Sequence, residues 1–197
     1  MQQLKDQITE RSKRSITQGQ TPLPVVQEMI RLLDIATQSR PNMTILEPTP
    51  GAGNIVHLLE HAGHDLIAPS DFFVYEREWN PGPGDQGDPY FDAIVMNPPF
   101  STKTCDMTYC RDPNLKGLQV GYWILERCMQ MSDTIVALMP TWTLSDSDHR
   151  RKKLEAFGIQ SVTWLPRKTF NYTRVNTCIL VLNKKHIGPT TTSSFWY

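Results

Sequence analysis

Two short stretches of this chain carry residue types that can do chemistry. Asn97-Pro98-Pro99-Phe100 follows a stretch that reads as a buried strand, Phe91 to Met96, and sets an amide and an aromatic ring on either side of two prolines. Consecutive prolines fix the backbone and remove two N–H donors, which leaves carbonyl acceptors free to point outward. The Asn97 side-chain oxygen and the Pro98 carbonyl could together accept both hydrogens of an exocyclic amino group, and Phe100 could stack on the ring that carries it. The plain alternative is a stiff turn capped by a buried Phe. The second stretch, Glu47-Pro48-Thr49-Pro50-Gly51-Ala52-Gly53, follows an apolar run, Met43 to Leu46. Gly51 and Gly53 let the backbone approach a ligand closely at the mouth of the next helix. By itself G-x-G after a strand also fits a structural turn. It lacks the third glycine of the dinucleotide fingerprint and the lysine of a phosphate loop, so nothing here cradles a pyrophosphate.

The surrounding pattern supplies elements to position both stretches. Thr21-Pro22 reads as an N-cap with proline at the first helical position, followed by Leu23, Val26, Ile30 and Leu33 at helical spacing. Asn54 to His61 reads as a second helix. Strand candidates are Met43 to Leu46, Asp65 to Ala68, Phe91 to Met96, Thr134 to Met139, Ser161 to Leu165 and Thr177 to Leu182. Helices are expected from about Leu118 to Met131 and from Asp146 to Phe157, the latter basic and closed by Gly158. This alternation argues for an open α/β sheet, with an antiparallel end because no clear helix separates the last two strands. In such sheets ligands sit beyond the carboxyl ends of the strands, so both stretches fall on one rim. The tail, Thr190 to Tyr197, is low in structure signals.

Taken together these residues resemble the S-adenosylmethionine-dependent amino-methyltransferases, specifically the DNA adenine-N6 type with the cofactor motif before the catalytic one. Thr21-Pro22 sits where that family has its N-terminal cofactor motif, Glu47 to Gly53 matches its glycine loop, and Asn97 to Phe100 matches its catalytic tetrapeptide. Leu165-Pro166-Arg167-Lys168-Thr169-Phe170 and Asn176 to Lys184 are similar to the closing strands of type I restriction–modification subunits. The resemblance spans about Thr21 to Lys185 and implies a single Rossmann-like methyltransferase domain over residues 21–185. Its sheet would be mostly parallel with an antiparallel terminal strand, between a polar arm (1–20) and a tail (186–197).

The resemblance also implies roles. Thr21 and Pro22 would lie against the methionine end of S-adenosylmethionine, and the backbone of Glu47, Pro48, Thr49, Gly51 and Gly53 would wrap it. Asn97, Pro98, Pro99 and Phe100 would hold the target amine and its base. The family places one acid for the cofactor ribose and a later Asp near the cofactor adenine. Here Ile67 to Phe73 compresses both, leaving Ser70 near the ribose position, Asp71 as the later Asp and Phe72 beside the cofactor. A turn-capping role for Asp71 is the alternative.

Length and charge bound the rest. A chain of 197 residues holds one ordinary domain. It has no room between Gly158 and Tyr197 for the separate target-recognition region such enzymes carry. Readout is then minimal, or comes from a separate recognition subunit or a homodimer. Twenty basic residues balance twenty acidic ones, but Asp148 to Lys185 holds nine basic against two acidic, a local surplus of seven. That asymmetry suits a polyanion such as DNA. Lys103, Arg150, Arg151, Lys152, Lys153, Tyr172 and Arg174 are the candidate contacts, with a solvated helix face as the alternative.

No apolar run reaches the roughly 20 residues of a membrane span, and no secretory signal is evident, so a cytoplasmic location is expected. Cys105, Cys110, Cys128 and Cys178 are too scattered for a disulfide framework or a metal site, and none follows a proline as the cytosine-C5 nucleophile would. His57 and His61 share a helical face without a third ligand, and Trp123 and Trp164 read as packing. Rival readings keep the tetrapeptide but change the acceptor to an RNA amino group or a protein glutamine, or make the chain a non-catalytic partner subunit.

Overall fold

The computed structural model describes residues 20–73, 75, 90–100, 119–170 and 175–197. In chain order the elements are α1 (Leu23–Thr37), β1 (Thr44–Leu46), α2 (Asn54–His61), β2 (Asp65–Ile67) and β3 (Ala93–Met96), then α3 (Val120–Cys128), β4 (Thr134–Pro140), α4 (Trp142–Ser145), α5 (Asp148–Phe157), β5 (Ile159–Trp164), β6 (Thr177–Asn183) and β7 (Thr191–Ser194).

The strands form one sheet in the order β2-β1-β3-β4-β6-β5-β7. The pairs β1–β2, β1–β3 and β3–β4 are parallel, whereas β6 runs antiparallel to both β4 and β5. The reversed strand expected at the end of the sheet is thus β6, and it lies inside the sheet rather than at its edge. Thr190 to Tyr197, which carries few structure signals in the sequence, supplies β7, paired parallel to β5. Its four residues are all exposed, so an edge strand paired on one side shows no apolar alternation to reveal it.

The central strands are apolar throughout because both faces of the sheet are covered. Along β4, Ile135, Ala137 and Met139 pack on one side with Trp123, Ile124, Leu125 and Cys128 of α3 and Leu154 of α5. Val136 and Leu138 pack on the other side with Val25, Val26, Met29 and Leu33 of α1 and with Ile55 and Leu59 of α2. The period-2 alternation of a strand therefore feeds two cores. With α1 and α2 on one face and α3 and α5 on the other, the β1, β3 and β4 carboxyl ends share a single rim.

Helix α1 begins at Leu23, with Pro22 at the cap position and no side-chain capping bond. The Pro22 carbonyl accepts from the Val25 and Val26 amides at 2.9 and 3.0 Å. Thr21 therefore does not cap the helix as the sequence pattern suggests, and Pro22 is not its first residue. A residue before a proline is disfavoured in the helical region, and the Thr21 hydroxyl meets Asn97 instead. Helix α5 ends at Gly158 (φ 116°) as expected but begins at Asp148 rather than Asp146, because Ser147 caps it, its hydroxyl accepting from the Arg150 amide, while Asp146 closes α4.

Candidate active site

Among the described residues, two clefts at the rim share the tetrapeptide. The first is lined by Gln20, Thr21, Thr49, Pro50, Gly51, Asn54, Ile55 and Asn97. The second is lined by Pro98, Pro99 and Phe100 together with Gln119, Gly121, Tyr122, Met139, Pro140, Trp142 and Thr143.

The first cleft is built by the glycine loop leaving β1. Gly51 and Gly53 have φ 56° and 90°, the left-handed region that glycine enters without steric cost. A turn from Pro50 O to the Gly53 amide (2.7 Å) folds the loop back, and α2 then starts without a side-chain cap. A side chain at Gly53 would meet nothing within 4 Å, so the loop leaves open space there. Glu47 buttresses it from beneath. Its carboxylate is fully buried, and Oε1 accepts from the Thr49 amide (2.8 Å) and the Thr49 hydroxyl (3.1 Å). Glu47 Oε2 has no partner among the described residues. Burial pushes this carboxyl up to about 8, against the two Thr49 hydrogen bonds, which favour the ionised form.

Thr21 crosses from the start of α1 to join the loop and the tetrapeptide. Its hydroxyl accepts from Asn97 Nδ2 at 2.9 Å, and its carbonyl accepts from Asn54 Nδ2 at 3.0 Å. Asn97 is half-buried, Pro98 buried and Pro99 exposed. The carboxamide of Asn97 carries one nitrogen and one oxygen on opposite sides of Cγ. With Nδ2 committed to Thr21, Oδ1 faces away from that hydroxyl.

Phe100 packs edge-on against Phe170 (centroids 5.8 Å apart, 79° between planes), which the segment after β5 brings to the rim. On the other wall of the second cleft, the Tyr122 ring carries the Arg150 guanidinium at 4.8 Å from its centroid. Helix α3 approaches the diproline through Gly121.

The sequence-predicted residues divide accordingly. Thr21, Thr49, Gly51 and Asn97 come together around the first cleft, and Pro98, Pro99 and Phe100 line the second. Pro22, Glu47, Pro48 and Gly53 shape the first cleft's surroundings without being among its lining residues. Asp71 accepts from the Phe73 amide at 2.9 Å and so caps a helical turn, while Phe72 is buried and packs edge-on against Trp123 at 6.0 Å. On α5, Arg151 pairs with Asp148 (3.1 Å) and Lys153 with the buried Glu126 (2.8 Å), whereas Lys152 makes no ion pair with a described residue. Lys103, Tyr172 and Arg174, like Cys105 and Cys110, lie outside the described residues. Cys128 and Cys178 are buried, and burial raises both thiols, that of Cys178 to about 12. The parts played by Trp142, Tyr122, Gly121, Asn54 and Phe170 are not evident from sequence. Trp142, Tyr122, Gly121 and Phe170 come to the two motifs from distant parts of the chain, whereas Asn54 directly follows the glycine loop and is distant only from Thr21, which it meets.

The fold and the site together define a methyltransferase-type domain, with a glycine-loop cleft beside an Asn-Pro-Pro-Phe corner. The model of the N-6 DNA methylase family matches residues 65–196, and the chain belongs to that family. No curated protein is significantly similar in sequence. Among solved structures, a protein described as a class I S-adenosylmethionine-dependent methyltransferase from Listeria monocytogenes shares the fold, with a TM-score of 0.64, 17% identity and 89% of this chain covered. The type I restriction–modification methyltransferase subunit from Streptococcus thermophilus follows, with a TM-score of 0.62, 17% identity and 85% covered. The M protein of the type I restriction enzyme EcoKI gives a TM-score of 0.58 at 12% identity, again over 85% of this chain. The matches span 65%, 45% and 44% of those three proteins' lengths. No helix among the described residues is long and apolar enough to cross a membrane.

Proposed function

We propose that the protein transfers a methyl group from S-adenosylmethionine to the N6 amino group of adenine in DNA. The observation that carries this reading is the position of residues 97–100, whose Asn97 lines the glycine-loop cleft while Pro98, Pro99 and Phe100 line the neighbouring one. The first cleft suits the cofactor. The left-handed Gly51, the side-chain oxygen of Thr49, the Asn54 amide and the uncapped start of α2 offer a polar lining for an amino acid end. Bound there, S-adenosylmethionine would supply a methyl on a sulfonium; its transfer to the amino nitrogen would leave S-adenosylhomocysteine and a cationic nitrogen that gives up one proton to solvent.

The residues act on the acceptor. Adenine N6 is a weak nucleophile because its lone pair is delocalised into the ring. Asn97 Oδ1 and the Pro98 carbonyl accept its two hydrogens and favour a pyramidal nitrogen with its lone pair available, which is orientational and electrostatic catalysis. No side chain has to deprotonate the amine first. Phe100, propped by Phe170, and Trp142 across the second cleft offer faces for the base. A base stacked inside a duplex cannot reach this corner, so the target is extruded.

DNA as acceptor is supported by the family and by the fold shared with type I modification subunits. The same likeness favours a further subunit or second copy for sequence readout. The test is expression in a host lacking adenine methylation, followed by mass spectrometry of nucleosides from its DNA. N6-methyladenine is expected. Its absence from DNA, with a methylated RNA amino group or protein glutamine that appears only in cells making the protein, would replace the acceptor.

A further inference from the structure

We infer that Thr21 is a positioning residue for Asn97: its hydroxyl holds the Asn97 carboxamide by Nδ2, so that Oδ1 is kept turned toward the target amine. This rests on the amino-methyltransferase reading and concerns the same site, but assigns Thr21 a task other than cofactor contact. Three observations combine. Thr21 is polar yet only 3% exposed, and its hydroxyl is 2.9 Å from Asn97 Nδ2. Its backbone is fixed twice, by the proline that follows it and by Asn54 Nδ2 on its carbonyl at 3.0 Å. Finally, it does not cap α1, where no side-chain capping bond is formed.

The physical consequence follows from the amide itself. Its nitrogen and oxygen ends are nearly the same shape, so packing alone discriminates poorly between the two orientations about the terminal torsion. One orientation presents Oδ1 to an incoming amine and accepts its hydrogen. The other presents Nδ2, placing donor against donor. A hydroxyl can donate as well as accept, so it does not by itself choose between the two ends. What the Thr21 hydroxyl supplies, on a locked backbone 76 residues away in sequence, is a fixed partner that holds the carboxamide with Nδ2 toward Thr21 and Oδ1 turned away before substrate arrives.

Two variants and two readouts test this. Thr21→Val keeps the shape and removes the acceptor, while Thr21→Ser keeps the acceptor. Loss of a buried hydrogen bond of this kind predicts kcat lowered roughly 10- to 100-fold in Thr21→Val, KM for S-adenosylmethionine changed less than about threefold, and most of the rate recovered in Thr21→Ser. In the cofactor-free protein, NMR hydrogen exchange at the Asn97 side-chain amide is expected to be slowed in the wild type and in Thr21→Ser, and to quicken in Thr21→Val. Unchanged exchange in Thr21→Val overturns the inference. So does a rise in KM for the cofactor with kcat retained, which would make Thr21 a cofactor contact. The exchange measurement needs no turnover, so it decides the role of Thr21 even if wild-type protein methylates no adenine, a result that would remove the acceptor reading instead.

Discussion

Gly121, in the first turn of α3, lies so close to Pro99 that a β-carbon on it would sit 2.7 Å from the Pro99 carbonyl oxygen and 3.6 Å from Pro98 Cβ. The obstacle is backbone rather than a flexible side-chain end. Glycine is therefore needed here for close approach, not for an unusual φ, and α3 serves as the anvil against which the diproline corner is set.

Gly121→Ala accordingly displaces the corner by a few tenths of an ångström or more. Misplacement on that scale at a reacting centre is costly, so kcat is expected to fall at least 10-fold. Overpacking is also expected to lower stability by about 1–3 kcal/mol. Single-turnover kinetics and urea melts check both. A variant with wild-type kcat would mean the corner can move without consequence.

Asn97→Ala removes one of the two acceptors on the amine. A loss of about 100- to 1000-fold in kcat is expected, by analogy with removing one preorganised group that meets developing charge. Cofactor affinity, read by calorimetry, is expected to stay within severalfold because the glycine loop and Thr49 remain. Weakened cofactor binding with turnover preserved at saturation would reverse the assignment.

Glu47 makes stability depend on pH in a direction opposite to that of most carboxylates. Its carboxyl is raised from 4.5 to about 8 in the folded protein, chiefly by burial. Between those values the unfolded chain has released this proton while the folded one keeps it. Its contribution is thus fully present below about 4.5 and is lost as pH rises through about 8, with a slope of up to about 1.4 kcal/mol per pH unit. Urea melts across this window are expected to show that decline in the wild type and a flatter profile in Glu47→Gln, whose side chain stays neutral. Identical profiles would show that Glu47 is ionised in the folded protein at neutral pH.

The basic surface is expected to divide in function. Lys152, and Arg167 and Lys168 in the turn that carries Phe170 to the rim, make no ion pair with a described residue. Replacing these three by Ala should weaken DNA binding and reduce the slope of log affinity against log salt by about 0.9 for each phosphate that is no longer neutralised. Lys153→Ala instead strips the partner from buried Glu126 and is expected to lower the melting temperature by a few degrees with little change in salt slope. An unaltered slope in the triple variant would place the DNA elsewhere.

What could be read from the sequence was local. The Asn97–Phe100 corner and the Gly51/Gly53 loop are contiguous, each follows a strand, and α2 spans Asn54–His61 as its spacing suggests. What could not be read depends on contacts between distant segments. Thr21 looks like a helix cap because Thr-Pro before an apolar stripe has that pattern, and only the fold reveals Asn97 opposite it. Phe170 reaching Phe100, Arg150 lying over Tyr122 and α3 approaching through Gly121 are equally invisible in a linear pattern. The place of β6 inside the sheet follows from pairing with both β4 and β5, which no strand's own composition encodes.

The most direct measurement uses purified protein, S-adenosylmethionine carrying a CD3 group, and adenine-containing DNA, with nucleosides resolved by mass spectrometry. Wild-type protein is expected to yield adenine heavier by one CD3 group at N6, and Asn97→Ala at saturating cofactor is expected to yield at most about one hundredth of that rate. Label on cytosine, or equal label from wild type and Asn97→Ala, would contradict the account.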